Sequence, residues 1–350
     1  MPNPKKLRLA INGFGRIGRT AYKIASRQKR FDIVAVNDLS DAESLAHLLA
    51  HDSIYGRFGK NVGHTKKSIT VDGRTTEVFC EKDPARLPWK RLKVDVVLEC
   101  TGRFVKDGAA SVHLQAGAKS VILSAPAKGT GDVPTAIIGV KKAGHKSRIV
   151  SNASCTTNNV VPVTRVMLEH FGVLKAMMTT IHSYTAEQNL VDAPPPPLHK
   201  DLRRARSAAI NLVPTTSGAA ISTTEIFPEL KGSFDGYAIR VPTPIVSLSD
   251  ITFLVKKKTT IEQVNRAFRK AAADPTYRNV LAVSEAECVS TDFIGDPHSA
   301  IVDLLLTNVV GGDLVKIVAW YDNEWGYSNR LVELAAEVGS KVSLRKGVTQ

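Results

Sequence analysis

Sulfur is scarce in this chain of 350 residues, which has four cysteines (Cys80, Cys100, Cys155 and Cys288) and four methionines. Cysteines this sparse cannot form a disulfide scaffold, and no two stand in a C-x-x-C pair suited to zinc. Reduced thiols, a cytoplasmic location and no metal are therefore expected. Long apolar runs are missing as well. Leu7-Arg8-Leu9-Ala10-Ile11 is too short for a secretory core or a membrane span, so no targeting or anchoring segment is expected. Acidic residues are outnumbered, 33 Asp and Glu against 47 Lys and Arg, for a formal charge of +14. A surface that basic attracts anions, whether phosphates, nucleotides or nucleic acid. Neither zinc-finger spacing nor an aromatic RNA-binding motif accompanies it, so nucleic acid is not expected as the main partner.

The residues that are present, 43% hydrophobic and 23% charged, suit a packed soluble protein and exclude disorder or a fibre. The length exceeds the usual single core and points to about two domains. Leu7 to Ile11 reads as a strand, Gly18 to Gln28 as a helix and Ile33 to Val36 as a second strand, a βαβ unit. Apolar runs at 94–98, 121–123 and 149–150 alternate with helix-compatible stretches such as Lys106 to Ala116, the rhythm of an α/β Rossmann-type parallel-sheet domain. After Cys155 the strands lengthen and alternate: Ala238 to Val241, Ser249 to Val255, Ile301 to Val310, Val315 to Trp320. They predict an α+β domain with a mostly antiparallel sheet. Gln188 to Arg206, with four consecutive prolines at 194–197, reads as a long irregular loop. Ser328 to Val338 has the spacing of an amphipathic helix, with Gly339 as its stop.

Directly after the first strand stands Asn12-Gly13-Phe14-Gly15-Arg16-Ile17-Gly18. In this G-x-G-x-x-G, Gly13 permits the tight turn, Gly15 lets a pyrophosphate approach the backbone N–H groups of the helix end, and Gly18 allows close helix–strand packing. Asp38 follows twenty residues after Gly18, at the end of the second strand, where an acid accepts hydrogen bonds from an adenosine ribose. Its charge would repel the 2′-phosphate of NADP and so favours NAD.

Ser151-Asn152-Ala153-Ser154-Cys155-Thr156-Thr157-Asn158 lies between a short strand and a helical stretch, Val160 to His170. Ser154 is a plausible N-cap, which puts Cys155 in the first helical turn, where free N–H groups favour a thiolate. Pro162 predicts a local irregularity, because the carbonyl of Asn158 loses its helical partner. The strand Ala176 to Ile181 ends at His182, which can exchange a proton with the thiol if the fold brings the two together.

At these residues the chain resembles phosphorylating glyceraldehyde-3-phosphate dehydrogenase, almost from end to end. The resemblance rests on 12–18, Asn37-Asp38, Glu99-Cys100-Thr101-Gly102, Ser124-Ala125-Pro126, 151–158, 179–185, Arg240-Val241-Pro242-Thr243-Pro244 and 320–329. It implies a nucleophile at Cys155 and its activating base at His182. It implies cofactor contacts at Gly13, Gly15, Arg16, Ile17, Gly18, Asp38, Lys82, Ser124 and Asn323. Thr185 and Arg240 then hold the 3-phosphate of glyceraldehyde 3-phosphate, while Ser154, Thr156, Arg206, Ser217 and Gly218 surround the attacking inorganic phosphate. Further implications are NAD as cofactor, a homotetramer, a nucleotide-binding domain of residues 1–154 and 322–350, and a catalytic domain of residues 155–321.

The chain also departs from the family pattern. Asn159 stands where a second cysteine is common, Glu187 where many bacterial relatives have Asp, and Ser217 where Thr is usual. The stretch Ala193 to Leu198 is about four residues longer than the bacterial pattern, which leaves NADP use open. A resemblance to erythrose-4-phosphate dehydrogenase around Cys155 and Asp296-Pro297-His298-Ser299-Ala300 keeps that activity as an alternative, and a secondary nucleic-acid-binding role as another.

Overall fold

The computed structural model describes residues 6–144, 147–195 and 201–344; positions 196–200, the far end of the lengthened loop, lie outside these. The chain divides into two units, Met1–Ala153 with Ser328–Gln350, and Ser154–Tyr327.

In the first unit the elements are β1 (Leu7–Asn12), α1 (Arg16–Ser26), β2 (Phe31–Asn37), α2 (Ala42–Ala50), β3 (Val62–Thr65), β4 (Ser68–Val71), β5 (Arg74–Phe79), β6 (Val96–Glu99), α3 (Ser111–Gln115), β7 (Ser120–Leu123) and β8 (Ile149–Ser151). They build one sheet in the order β3-β4-β5-β2-β1-β6-β7-β8. Pairing is parallel from β5 to β8, and the two hairpins at the β3 edge are antiparallel. The β4–β5 hairpin turns on Asp72 and Gly73, both at positive φ (46° and 76°), the backbone that a two-residue hairpin needs. Central strands are buried on both faces, which explains their continuous apolar sequence. Around Lys106 to Ala116 the helix is shorter than expected. Asp107 and Gly108 take left-handed φ values of 49° and 71°, so helix begins only at Ser111.

The second unit contains α4 (Cys155–Phe171), β9 (Val173–Ser183), β10 (Val213–Thr216), α5 (Ala219–Ile226), β11 (Phe234–Val241), β12 (Ser247–Val255), α6 (Ile261–Ala273), β13 (Leu281–Ser284), β14 (Ala300–Asp303), β15 (Asn308–Val310) and β16 (Leu314–Tyr321). Its sheet runs β10-β11-β9-β12-β16-β14-β13, with β15 on β16. All pairs are antiparallel except β9–β11 and β13–β14. Burial along β12 alternates residue by residue, so one face packs beneath α4. The run Ile301 to Val310 is split into two strands, because the amide of Leu305 turns back onto the Asp303 carboxylate (3.2 Å). Despite Pro162, α4 runs as one helix from Cys155 to Phe171.

The last helix, α7 (Trp325–Leu344), starts in the second unit and continues into the first. It does not stop at Gly339. A Cβ there would stand 2.8 Å from Leu7 Cδ1 and 3.2 Å from Val96 Cγ2, so the glycine serves close helix–sheet packing rather than termination.

Candidate active site

Ser154 is the N-cap of α4: its Oγ accepts from the amide of Thr157 (3.0 Å), which makes Cys155 the first helical residue. Ala153, just before, takes φ +53°, a left-handed conformation that costs an L-residue about 1–2 kcal/mol. β9 delivers His182, and Cys155 Sγ lies 3.5 Å from His182 Nε2. The other ring nitrogen, Nδ1, is 2.7 Å from the carbonyl oxygen of Ser183. That carbonyl requires a donor, and the two hydrogens of Arg240 Nη1, 3.0 Å from Nδ1, have acceptors in Ser183 O and Thr185 Oγ1, so the proton belongs on Nδ1 and the Nε2 lone pair faces the sulfur. Arg240 sits on the strand beside β9, in register with His182, and its Nη1 donates to Ser183 O (3.1 Å) at 3.0 Å from Nδ1.

These surroundings set the proton's place. Burial pushes the Cys155 thiol above its ordinary range, opposed by the Arg240 charge and by hydrogen bonds of Thr156. Burial and Arg240 together hold His182 well below the usual imidazole range. The helix-end argument for a standing thiolate thus meets a larger opposing effect, burial of the sulfur. Thr156 Oγ1 is bonded to Tyr321 OH (3.0 Å), which also reaches Thr180 Oγ1 (2.9 Å), tying α4 to β16 and β9 directly behind the thiol.

Next to this pair lies a cluster of buried guanidinium groups. Arg240 Nη1 donates to Thr185 Oγ1 (3.3 Å), and its Nη2 stands 3.6 Å from Glu187 Oε1. The same carboxylate oxygen accepts from Arg204 Nη1 at 2.7 Å, while Arg204 Nε donates to Thr215 Oγ1 (3.0 Å). Arg206 is placed otherwise than the resemblance implied. Its side chain is 63% exposed and its Nε donates to Asp192 (2.6 Å), because the loop from Gln188 folds on itself and turns this residue outward. Arg204, two residues earlier, holds the buried place that Arg206 was expected to fill. Ser217 Oγ accepts from the amide of Ala219 (3.3 Å), and Gly218 is the N-cap of α5.

The first unit carries a cleft of about 390 Å³ whose lining includes Asn12, Gly13, Gly15, Asn37, Asp38 and Lys82. Gly13 (φ +90°) would drive a Cβ to 2.8 Å from the backbone of Cys100 and Thr101, and Gly18 one to 2.1 Å from Gly13 O. At Gly15 a Cβ would meet nothing within 4 Å. That open space sits at the N-terminus of α1, where backbone N–H groups attract phosphate, so the cleft fits a dinucleotide. Asp38 accepts from the amides of Phe14 (2.7 Å) and Ser40 (3.2 Å) and so also pins the glycine turn. Arg16 pairs with Asp52 (2.9 Å) and leans on the Tyr55 ring. Ser124 continues β7, its amide donating to Glu99 O (2.9 Å). Arg16, Ile17 and Ser124 stand outside the cleft lining, and Asn323 belongs to the second unit, where Ser247 Oγ donates to its side-chain oxygen (3.1 Å).

Comparison with known proteins decides the family. Residues 7–107 match the family described as glyceraldehyde 3-phosphate dehydrogenase, NAD binding domain, and residues 154–323 match its C-terminal domain. The chain is 48% identical over 342 residues to glyceraldehyde-3-phosphate dehydrogenase of Streptomyces coelicolor, spanning 96% of this chain and 99% of that one. The enzyme of Geobacillus stearothermophilus is 47% identical over 338 residues, with the same coverage. Glyceraldehyde-3-phosphate dehydrogenase A, chloroplastic, of Chlamydomonas reinhardtii is 47% identical over 342 residues, 96% of this chain and 90% of that one. The chain belongs to the glyceraldehyde-3-phosphate dehydrogenase family.

Within this family member, two residues around the site, Arg204 and Tyr321, are not marked by local sequence. Arg204 could have been found only by deciding which of three arginines in Arg203-Arg204-Ala205-Arg206 turns inward, and a short 3₁₀ turn over Leu202–Ala205 makes that choice. Tyr321 lies in the 320–329 stretch, but its hydroxyl's partners, Thr156 and Thr180, come from two other elements, α4 and β9. Asn159 is fully buried, and its Nδ2 donates to Ser299 O (3.2 Å) and Trp320 O (3.3 Å), a fastening between α4 and β16 that a cysteine could not make. Among the described residues no helix is long and apolar enough to cross a membrane, and no group of three or more His, Cys, Asp or Glu is placed to hold a metal ion.

Proposed function

We propose that this chain oxidises D-glyceraldehyde 3-phosphate to 1,3-bisphosphoglycerate with NAD and inorganic phosphate, using Cys155 as nucleophile and His182 as proton acceptor. The observation that carries the reading is the 3.5 Å contact between Cys155 Sγ and His182 Nε2, beside two buried arginines. Arg240 and Thr185 bind the substrate's phosphate. Arg204, in place of Arg206, joins Ser217, Gly218 and the Ser154–Thr156 turn around the inorganic phosphate, since planar guanidinium groups match phosphate oxygens.

Sulfur attacks the aldehyde carbon while the thiol proton passes to His182 Nε2, forming a hemithioacetal whose oxygen faces the amide of Cys155 at the helix end. A substrate phosphate on Arg240 neutralises the charge that holds His182 down, so the base gains basicity as the aldehyde arrives. When bound, NAD supplies the acceptor for the hydride that leaves the hemithioacetal carbon. A phosphate oxygen then attacks the thioester carbon, the C–S bond breaks and the sulfur recovers its proton. Gly13, Gly15, Arg16, Ile17, Gly18, Asp38, Lys82 and Ser124 hold the cofactor, with Asn323 on its carboxamide.

The division into a nucleotide domain (1–154 and 322–350) and a catalytic domain (155–321), a homotetramer and a cytoplasmic location belong to the same reading. Formation of NADH should require the aldehyde, NAD and phosphate together; folded protein that makes none with all three refutes it. Measuring kcat/KM with erythrose 4-phosphate alongside decides the sugar, and NADP in place of NAD decides the cofactor.

A further inference from the structure

Behind the nucleotide cleft lies a chain of buried polar groups that the chemistry above does not use. His113 is fully buried, and so, almost, is Glu99. Trp89 Nε1 donates to His113 Nδ1 (3.0 Å). An indole nitrogen can only donate, so His113 Nδ1 carries no proton, and its Nε2–H donates to Glu99 Oε2 (2.9 Å) as a neutral imidazole. The same carboxylate oxygen accepts from Asn12 Nδ2 (2.6 Å), and Oε1 accepts from the amide of Thr101 (2.8 Å) and from its hydroxyl. Asn12 Oδ1 in turn accepts from Asn37 Nδ2 (2.7 Å), and Asn37 Oδ1 from the amide of Glu81 (2.9 Å).

Asn12 ends β1, Asn37 ends β2 and Glu99 ends β6. β1 is the strand between the other two, so these are the strand ends around the point where the chain order reverses, where open α/β sheets bind their ligand. Asn12, Asn37, Glu81, Cys100 and Thr101 all line the cleft. The Cys100–Thr101 backbone also lies against Gly13, and Cys100 N donates to Asn12 O (2.7 Å).

We infer that His113, acting through Glu99, is a positioning residue for the dinucleotide: it locks the carboxylate that fixes the three strand ends and the 99–102 turn forming the cleft floor. The inference rests on the NAD reading given above. A neutral imidazole suits this task, since it saturates one carboxylate lone pair while its other nitrogen is held by Trp89.

The test is calorimetric titration of NAD into cofactor-stripped protein, with the indole N–H resonance of Trp89 recorded in parallel. His113→Ala should raise the NAD dissociation constant about tenfold, as loss of a donor to a buried charge would, and should move the Trp89 signal. The KM values for aldehyde and phosphate and the kcat at saturating NAD should stay within about twofold. His113→Gln, which offers one acceptor and one donor, should restore most of the affinity. Wild-type affinity in a folded Ala variant, or parallel loss of aldehyde and phosphate KM, overturns the inference. If Ala fails to fold, Gln decides: folded Gln protein with the tenfold loss refutes the hydrogen-bonding account, and near-wild-type binding supports it. Wild-type protein that does not bind NAD removes the parent reading and this one together.

Discussion

At the scale of single residues, folding raises the pKa of the Cys155 thiol and lowers that of the His182 imidazole facing it, and both directions have consequences. Because folding raises the Cys155 pKa, its contribution to stability is complete below the unfolded thiol value, about 8.5, and declines as pH rises past it. His182, lowered on folding, has the opposite sign: stability declines as pH falls below about 6.5. Urea melts across pH 5 to 10 should therefore show an alkaline decline that Cys155→Ser reduces and an acid decline that His182→Gln reduces. Cys155→Ser should abolish NADH formation yet leave folding and NAD affinity near wild type, because only the nucleophile changes. His182→Asn should lower turnover by about a hundredfold or more and move the pH profile of Cys155 alkylation by iodoacetamide to higher pH. An alkylation profile unchanged by that substitution would mean that the 3.5 Å contact transfers no proton. These residues were legible in the sequence as a strand-to-helix thiol and a strand-end histidine. Their distance was not, since it depends on the pairing of β9 with its neighbours.

At the scale of elements, small side chains decide how closely helices approach what they cap or cover. Ser154→Ala removes the N-cap bond of α4 and should cost about 1 kcal/mol, a fall of about 2–4 °C in the melting temperature. Gly339 separates two opposing effects. Alanine there gains about 1 kcal/mol of helix propensity but meets the movable tip of Leu7 and, slightly farther off, the stiffer Val96, so Gly339→Ala should be nearly neutral by thermal melting. Gly339→Val adds bulk that cannot be accommodated and should cost about 1–3 kcal/mol. Gly18→Ala differs in kind, since its Cβ would strike a backbone carbonyl. In sequence Gly339 suggests a helix stop, because glycine looks the same whether it ends a helix or admits a neighbour. Lys106 to Ala116 misled in the reverse way: its composition suits helix, but Asp107 and Gly108 are committed to a turn.

At the scale of the molecule, bound dinucleotide should stabilise the fold by mass action, about 2.7 kcal/mol at a hundredfold excess over its dissociation constant. Asp38→Ala should reduce that gain with NAD more than with NADP, since it deletes both the proposed ribose acceptor and the charge that repels a 2′-phosphate; equal losses with both cofactors would show that Asp38 only pins the glycine turn. Two-domain organisation, the parallel and antiparallel sheets and the glycine fingerprint were readable from local patterns, and the same patterns singled out Asp38, Cys155 and His182 as candidates. Periodicity, turn chemistry and short-range spacing are properties of the linear chain. What only the tertiary structure decided is which arginine faces inward, that Cys155 and His182 stand 3.5 Å apart, and that Glu99 and His113 meet fourteen residues apart beneath the cleft. Each depends on burial and on partners brought from distant strands. Burial is set by the whole packing, so no window of the sequence contains it.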